Sequence, residues 1–237
     1  MNAAVIVAGG EGERFGDPRG KQLARVAGLP VLAHTLRAFE RCEAVDVIVV
    51  VTHPDRVEVY RAEAIGPAGA TKVVAVVPGG ATRTASVAAG LAALPFGCVA
   101  VAVHDGARAA VTPETIDASF ASLLSDPLLD GVVVGHPAFD TIKEAGDDDR
   151  VVSTPDRSRL WVAQTPQTFR LAALLRAHER AAAEGFEGTD DAALVERCGG
   201  TVAMLEGPRW NIKVTLPEDL AVLSALLAQR REAADDV

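Results

Sequence analysis

A glycine-rich stretch near the amino terminus, Val7-Ala8-Gly9-Gly10-Glu11-Gly12-Glu13-Arg14-Phe15-Gly16, is followed closely by Gly20-Lys21-Gln22. Glycines let a backbone turn tightly and present several N–H groups to one anion. Arg14 and Lys21 add positive charge to the same loop. The chemistry this suits is the binding of nucleotide phosphates. Two common phosphate loops are excluded by spacing. The dinucleotide fingerprint Gly-x-Gly-x-x-Gly, started at Gly10 and Gly12, meets Phe15 at its third glycine. The P-loop requires glycine where Phe15 stands and Ser or Thr where Gln22 stands.

Three further segments carry polar groups where chemistry could occur. In Val103-His104-Asp105-Gly106-Ala107-Arg108 a carboxylate closes an apolar run beside a turn of small residues. Asp105 there suits a metal or a hydroxyl, or else caps the turn while Arg108 pairs with a surface acid. His104 reads as a structural group. The loop Pro78-Gly79-Gly80-Ala81-Thr82-Arg83-Thr84-Ala85-Ser86 leads into a helix, where backbone N–H groups and hydroxyls could hold a base, ribose or phosphate. Thr82 or Thr84 could equally serve as a simple cap. In Asn211-Ile212-Lys213-Val214-Thr215, Thr215 is placed to cap the last helix, and Lys213 on its own reads as a solvated strand-end lysine.

The elements that must position these groups alternate. Ala3–Val7, Val47–Val51, Val73–Val77, Cys98–His104 and Gly131–Gly135 are short apolar runs that predict strands. Val31–Arg41, Thr82–Leu94 and Pro113–Leu124 have helical spacing, with Thr112 as N-cap and Pro113 at the first helical position. Such alternation predicts an α/β domain over 1–230, a mostly parallel sheet with helices on both faces, with ligands bound beyond the carboxyl ends of its strands. Two segments break the pattern. His136–Thr154 reads as two extended pieces around Gly146-Asp147-Asp148-Asp149, a β-arm at about 136–156. An isolated ribbon is marginally stable, so it should pack on its own domain or on a second subunit. The stretch from Thr154 to Phe169 is dense in polar residues and prolines and suits neither a core strand nor an amphipathic helix. Residues 231–237 read as a charged tail.

The 237 residues are nearly half apolar, with a net charge of -9. That balance excludes a nucleic-acid backbone as the main partner. No segment reads as a leader or a membrane span, so a cytoplasmic protein is expected. Cys42, Cys98 and Cys198 are odd in number and far apart, which fits reduced thiols rather than disulfides or a zinc site.

Taken in order, these segments resemble the 2-C-methyl-D-erythritol 4-phosphate cytidylyltransferases of non-mevalonate isoprenoid synthesis. The resemblance rests on the glycine loop with Arg14 and Lys21-Gln22, then Gly79-Gly80…Arg83…Ser86-Val87, and His104-Asp105…Ala107-Arg108. It continues through Asp140-Thr141-Ile142-Lys143, Leu160-Trp161…Gln164-Thr165-Pro166-Gln167…Phe169, Thr189-Asp190-Asp191-Ala192 and Asn211-Ile212-Lys213-Val214-Thr215. It implies a Rossmann-like nucleotidyltransferase fold with a protruding β-arm, a homodimer joined through that arm, and a divalent cation, normally Mg²⁺. The implied reaction transfers CMP from CTP to methylerythritol phosphate and releases pyrophosphate.

By resemblance, Arg14 and Lys21 stabilise charge at the α-phosphate and on the leaving pyrophosphate. Arg157 and Lys213 hold the attacking phosphate, with Thr141 beside it, and Arg157 and Thr141 serve the partner's site. Ala8, Gly9, Gly10, Gly12, Gly79, Gly80, Ser86, Asp105 and Gly106 are implied in CTP binding, and Asp105 and Arg108 in substrate binding. Asp105 is also the implied metal ligand, if the ion is not held by CTP phosphates alone. The cations Arg14, Lys21, Arg83, Arg108, Arg157 and Lys213 are expected to gather at one mouth. Ala81, Gly106, Ala109, Ala138-Phe139 and Trp210 depart from the family pattern. The nearest alternatives are a ribitol-5-phosphate cytidylyltransferase and a non-catalytic nucleotide-binding regulator. Lys143, Arg157 and Leu160-Trp161 disfavour the first, and the retained phosphate-loop cations disfavour the second.

Overall fold

A computed structural model describes residues 1–10, 15–16 and 19–235, with side chains described as far as 230. The apolar runs form the strands β1 (Asn2–Val7), β4 (Val47–Thr52), β5 (Val73–Pro78), β6 (Ala100–Asp105) and β7 (Gly131–Pro137). A small pair, β2 (Arg25–Val26) and β3 (Leu29–Pro30), leads into α1 (Val31–Arg41). The connection from β4 to β5 winds through α2 (Val57–Tyr60), a π-helical turn and α3 (Gly66–Ala68). Helix α4 (Arg83–Ala92) follows β5, and α5 (Pro113–Ser125) follows β6, with Thr112 accepting from Thr115 N as its cap.

Seven strands form one sheet, ordered β11-β7-β10-β6-β1-β4-β5, where β10 is Trp161–Arg170 and β11 is Val202–Glu206. All neighbours run parallel except β10, which lies antiparallel to both β6 and β7. Alternate residues of the buried strands feed two cores. Ala4 and Ile6 pack with Leu36, Phe39 and Phe120 on one face. Ala3 and Val5 pack with Val87, Leu91 and Leu174 on the other. Helices α6 (Leu171–Glu184) and α7 (Asp191–Arg197) belong to the second face, as Leu174, Ala177, Leu194 and Val195 enter its core.

The sequence expectation for Thr154–Phe169 is corrected by β10. Its second half is a buried strand between β6 and β7, and its polar side chains are paired internally. Thr168 Oγ1 meets Ser119 Oγ at 2.7 Å, and Gln167 accepts from the backbone N–H groups of Asp191 and Ala192. The pairing of β10 with β7 shifts register between Ala163 and Gln167, so Gln164, Thr165 and Pro166 leave the ladder at that bulge.

The arm is a two-stranded antiparallel ribbon, β8 (Glu144–Ala145) with β9 (Val151–Ser153), turning through the Gly146–Asp149 segment. Its side chains are mostly exposed, Val151 and Val152 among them. The last helix, α8 (Asp219–Asp235), takes in most of the charged tail and carries one correction, at its start. Its backbone continues through 231–235, as a run rich in alanine, glutamate and arginine favours. Its start is capped from within: the Asp219 carboxylate accepts from Thr215 N and Leu216 N, while the Thr215 hydroxyl turns to Lys213 O.

Candidate active site

The sheet changes direction at β1. The chain runs from β1 to β4 and β5 on one side, then crosses back to place β6 on the other. Open α/β sheets bind ligands outside the carboxyl ends of the strands at such a switch point. A cavity of about 780 Å³ lies there. Gly9 and Gly10 line it after β1, Thr52–Pro54 after β4, Gly79–Thr82 after β5, Asp105 and Ala107 at the end of β6, and Lys213 and Thr215 before α8.

Close approach explains the paired glycines after β5. A Cβ on Gly79 would lie 2.7 Å from Ser86 Oγ, and one on Gly80 would lie 2.5 Å from Ala85 Cβ. Their absence lets the loop fold back on α4, where Gly80 N donates to Ser86 Oγ at 3.1 Å and Ser86 Oγ donates to Thr82 O at 2.9 Å. Thr82 is itself the N-cap, accepting from Ala85 N. The capping role read from the sequence is therefore filled, in a loop that also lines the cavity.

Asp105 is the anionic centre of the site. Lys213 Nζ lies 2.9 Å from its Oδ2, Arg108 Nε 3.6 Å from the same oxygen, and Arg83 Nε 3.8 Å from Oδ1. Burial opposes ionisation, but Lys213, Arg83 and Arg108 outweigh it and hold the carboxyl down at about 2. Three cations face one carboxylate, and Lys21 also lines the cavity. Among the described lining residues, Lys21, Arg83 and Lys213 outnumber Asp105 although the chain is acidic overall, and local potential is what steers a polyanion.

Behind Asp105 the wall is tied together by hydrogen bonds. Asp105 N donates to Thr165 Oγ1 at 3.1 Å, so the single hydroxyl proton of Thr165 is left for His104 Nδ1 at 3.0 Å. His104 then carries its proton on Nε2 and donates it to Arg108 O at 3.3 Å. Burial pushes the His104 imidazolium down to about 3, despite the Asp105 charge. His104 is thus a neutral structural group, as the sequence suggested. It positions the peptide that carries Asp105.

The structure brings together Gly9, Gly10, Lys21, Gly79, Gly80, Ser86, Asp105 and Lys213 around one cavity. Ala8 and Gly106 are not among its lining residues. The Ala8 carbonyl accepts from Tyr60, and Gly106 N donates to Val7 O at 2.9 Å. Arg108 does not open into the cavity; it pairs with Asp105 and donates to Asn211 O at 2.8 Å, not to a surface acid. Thr141 and Arg157 lie outside the lining, at the base of the arm, where Arg157 donates to Phe139 O. Gly12 and Arg14 lie outside the described residues. Among lining residues that the sequence reading gave no role are Gln22, Thr52, His53 and Pro54. Of these, the apolar end of β4 followed by Thr52-His53-Pro54 is the signal that could have been followed, because β4 runs parallel to β1 beside it and so ends at the same edge of the sheet.

The donor set also bears on a metal. Among the described residues, Asp105 is the one carboxylate that lines the cavity, and no group of three His, Cys, Asp or Glu could cage an ion. Mg²⁺ keeps several waters and is commonly bound by one or two carboxylates plus substrate phosphates, which fits one carboxylate beside a phosphate cavity.

A mostly parallel α/β sheet with a cationic, glycine-bounded cavity at its switch point defines the nucleotidyltransferase class of fold. The comparisons specify it further. Residues 2–229 match the sequence profile of IspD, 2-C-methyl-D-erythritol 4-phosphate cytidylyltransferase, and the chain belongs to that family. It is 40% identical over 225 residues to the 2-C-methyl-D-erythritol 4-phosphate cytidylyltransferase of Caldanaerobacter subterraneus, covering 95% of this chain and 98% of that one. It is 42% identical over 226 residues to that of Microcystis aeruginosa, with the same coverage of 95% and 98%. The crystal structure of 4-diphosphocytidyl-2C-methyl-D-erythritol synthase from Anaerococcus prevotii superposes with a TM-score of 0.82 at 28% identity, over 96% of each chain. The Thermus thermophilus 2-C-methyl-D-erythritol 4-phosphate cytidylyltransferase does so at 0.77 and 30% identity, over 96% of this chain and all of that one (100%).

Several departures from the family pattern fall on or near the site. Ala81 lines the cavity. At Gly106 a Cβ would come within 3.0 Å of Leu32 Cδ1 and 3.2 Å of Ala8 Cβ, so glycine fits this close packing. Phe139 lies under the Arg209 guanidinium and Trp210 under that of Arg230, two cation–π contacts outside the cavity lining.

Proposed function

We propose that this cavity transfers CMP from CTP to 2-C-methyl-D-erythritol 4-phosphate, giving 4-diphosphocytidyl-2-C-methyl-D-erythritol and pyrophosphate. Family membership supports the reaction, and the observation that carries its location is Asp105 with Lys213, Arg83 and Arg108 gathered at the switch point. A phosphate oxygen of the alcohol phosphate attacks the α-phosphorus of CTP. The new P–O–P bond forms as the bond to pyrophosphate breaks, and pyrophosphate carries away the bonding pair. Two polyanions must meet for this to occur, so positioning and charge neutralisation supply most of the catalysis.

Placement around the cavity supports the following division of labour, and for Arg14, which lies outside the described residues, the family resemblance alone supports it. Gly9, Gly10, Gly79, Gly80 and Ser86 border the volume for the nucleoside, whose base and sugar need backbone donors and acceptors rather than charge. Lys21 and Arg14 take the phosphates of CTP. Lys213, held by Asp105, meets the attacking phosphate and restrains it in line. Arg108 acts through Asp105, as it pairs with that carboxylate and with Asn211 O and is not among the lining residues. Mg²⁺ borne by the CTP phosphates would neutralise charge on the leaving pyrophosphate, with Asp105 as the available protein oxygen.

The arm completes the reading. Thr141 and Arg157 act in a partner's cavity, and the enzyme is a homodimer. The exposed Ile142, Val151, Val152, Trp161 and Val162 of the arm region support this, since such an apolar surface needs cover. No helix among the described residues is long and apolar enough to cross a membrane, and we place the enzyme in the cytoplasm. Phosphorus NMR of the protein with CTP, Mg²⁺ and 2-C-methyl-D-erythritol 4-phosphate tests the reaction. A new diphosphate and free pyrophosphate should appear in equal amounts. Hydrolysis to CMP instead, or no turnover by folded protein, would overturn the reading.

A further inference from the structure

The Thr189-Asp190-Asp191-Ala192 segment has no role in the transfer described so far, yet it ends against the site. Asp191 is fully buried at the start of α7. Its Oδ2 accepts from Arg83 Nη1 at 2.7 Å, and its Oδ1 accepts from His178 Nε2 at 3.1 Å. Gln167 of β10 fixes its backbone, accepting from Asp191 N and donating to the Asp190 carboxylate at 2.7 Å. Arg83 in turn lines the cavity and faces Asp105 at 3.8 Å. The guanidinium therefore spans two carboxylates, one deep and one at the cavity. The deep contact is the shorter.

We propose that Asp191 is a positioning residue for the transfer, anchoring Arg83 so that it lines the phosphate cavity and cannot close fully onto Asp105. With the anchor gone, only the weaker pull of Asp190 opposes a tighter pairing of Arg83 with Asp105, where it would compete with Lys213. His178 and Gln167 fix the anchor's own geometry, since each occupies Asp191 from a side that Arg83 does not. A charge pair this buried is sensitive to loss of one partner, which the test must separate from the functional effect.

This inference rests on the proposed reaction, so each assay includes the wild-type enzyme with CTP and 2-C-methyl-D-erythritol 4-phosphate. An inactive wild type would sink that reaction rather than the role of Asp191. With active wild type, Asp191→Asn should lower kcat/KM for CTP at least ~10-fold, measured well below the variant's own melting temperature. In an Arg83→Met background the same substitution should cost less than ~2-fold. A merely structural role would instead give the same loss in both backgrounds, and that result overturns the proposal. If Asp191→Asn alone does not fold, the Arg83→Met/Asp191→Asn pair, which leaves neither charge unmatched, is compared with Arg83→Met. Equal activity supports the anchor, and lower activity of the double variant overturns it.

Discussion

Lys213 Nζ sits 2.9 Å from Asp105 Oδ2, joining the carboxyl end of a central strand to the segment that enters the last helix. The backbone reinforces the join, as Val214 N donates to Ala107 O at 2.9 Å and Arg108 donates to Asn211 O. A lysine that the sequence alone reads as solvated is thereby fixed at the mouth of the cavity. Two distant parts of the chain must both fold correctly before the cationic site exists.

Lys213→Ala should lower turnover at least ~100-fold, about 2.7 kcal/mol of transition-state stabilisation, if its charge acts at the reacting phosphates. The fold should survive, since the Lys213 side chain is 42% exposed. Steady-state kinetics on the folded variant would measure this, and near-normal turnover would remove Lys213 from the site.

Arg157 lies outside its own chain's cavity lining. Arg157→Ala and Lys21→Ala chains, each inactive alone, should therefore regain part of the activity when mixed, because one of the two sites in a heterodimer receives both cations. Assays on isolated heterodimers are the check. No recovery there would confine Arg157 to its own subunit or remove it from catalysis.

The loop after β5 has little room. Gly80→Ala places a Cβ 2.5 Å from that of Ala85, and such overpacking typically costs ~1–3 kcal/mol or shifts the backbone. The shift would move Gly79 and Ser86 together. KM for CTP should rise several-fold with a smaller change in kcat, and unchanged kinetics would mean that the loop does not hold the nucleoside.

His104 gives a pH signature. Its folded value of about 3 lies below the ordinary 6.5, so below pH 6.5 the unfolded chain binds a proton that the native protein does not. This contribution is complete above pH 6.5 and falls by ~1.4 kcal/mol per pH unit as the pH drops towards 3. Asp105 adds a loss of the same sign only below its ordinary 3.8, towards its folded value of about 2. Denaturant unfolding of wild type and His104→Gln between pH 7 and 4 should show a shallower dependence in the variant. Parallel curves would mean that His104 is charged in the native state.

The strands and helices around β1 were legible because they follow simple rules. Short β-branched runs alternate with helical periods, and Val31–Arg41 is a helix over the predicted residues. Lining residues such as Gly79 and Asp105 were legible because they close strands on the ligand side of an open sheet. Strand β10 was not, because its polarity is satisfied internally by Thr165 with His104, Gln167 with α7, and Thr168 with Ser119. No local pattern records such partners. Arg108 was placed at the mouth for the same reason in reverse. Its charge was visible, but its turn towards Asn211 depends on a contact across the fold.

Pyrophosphate release with CTP and Mg²⁺, offering 2-C-methyl-D-erythritol 4-phosphate and ribitol 5-phosphate in parallel, tests the central claim most directly. Release is expected with the first alone. Release with ribitol 5-phosphate alone would contradict the substrate assignment while keeping the transfer chemistry, and silence with both from folded protein would contradict the enzyme itself.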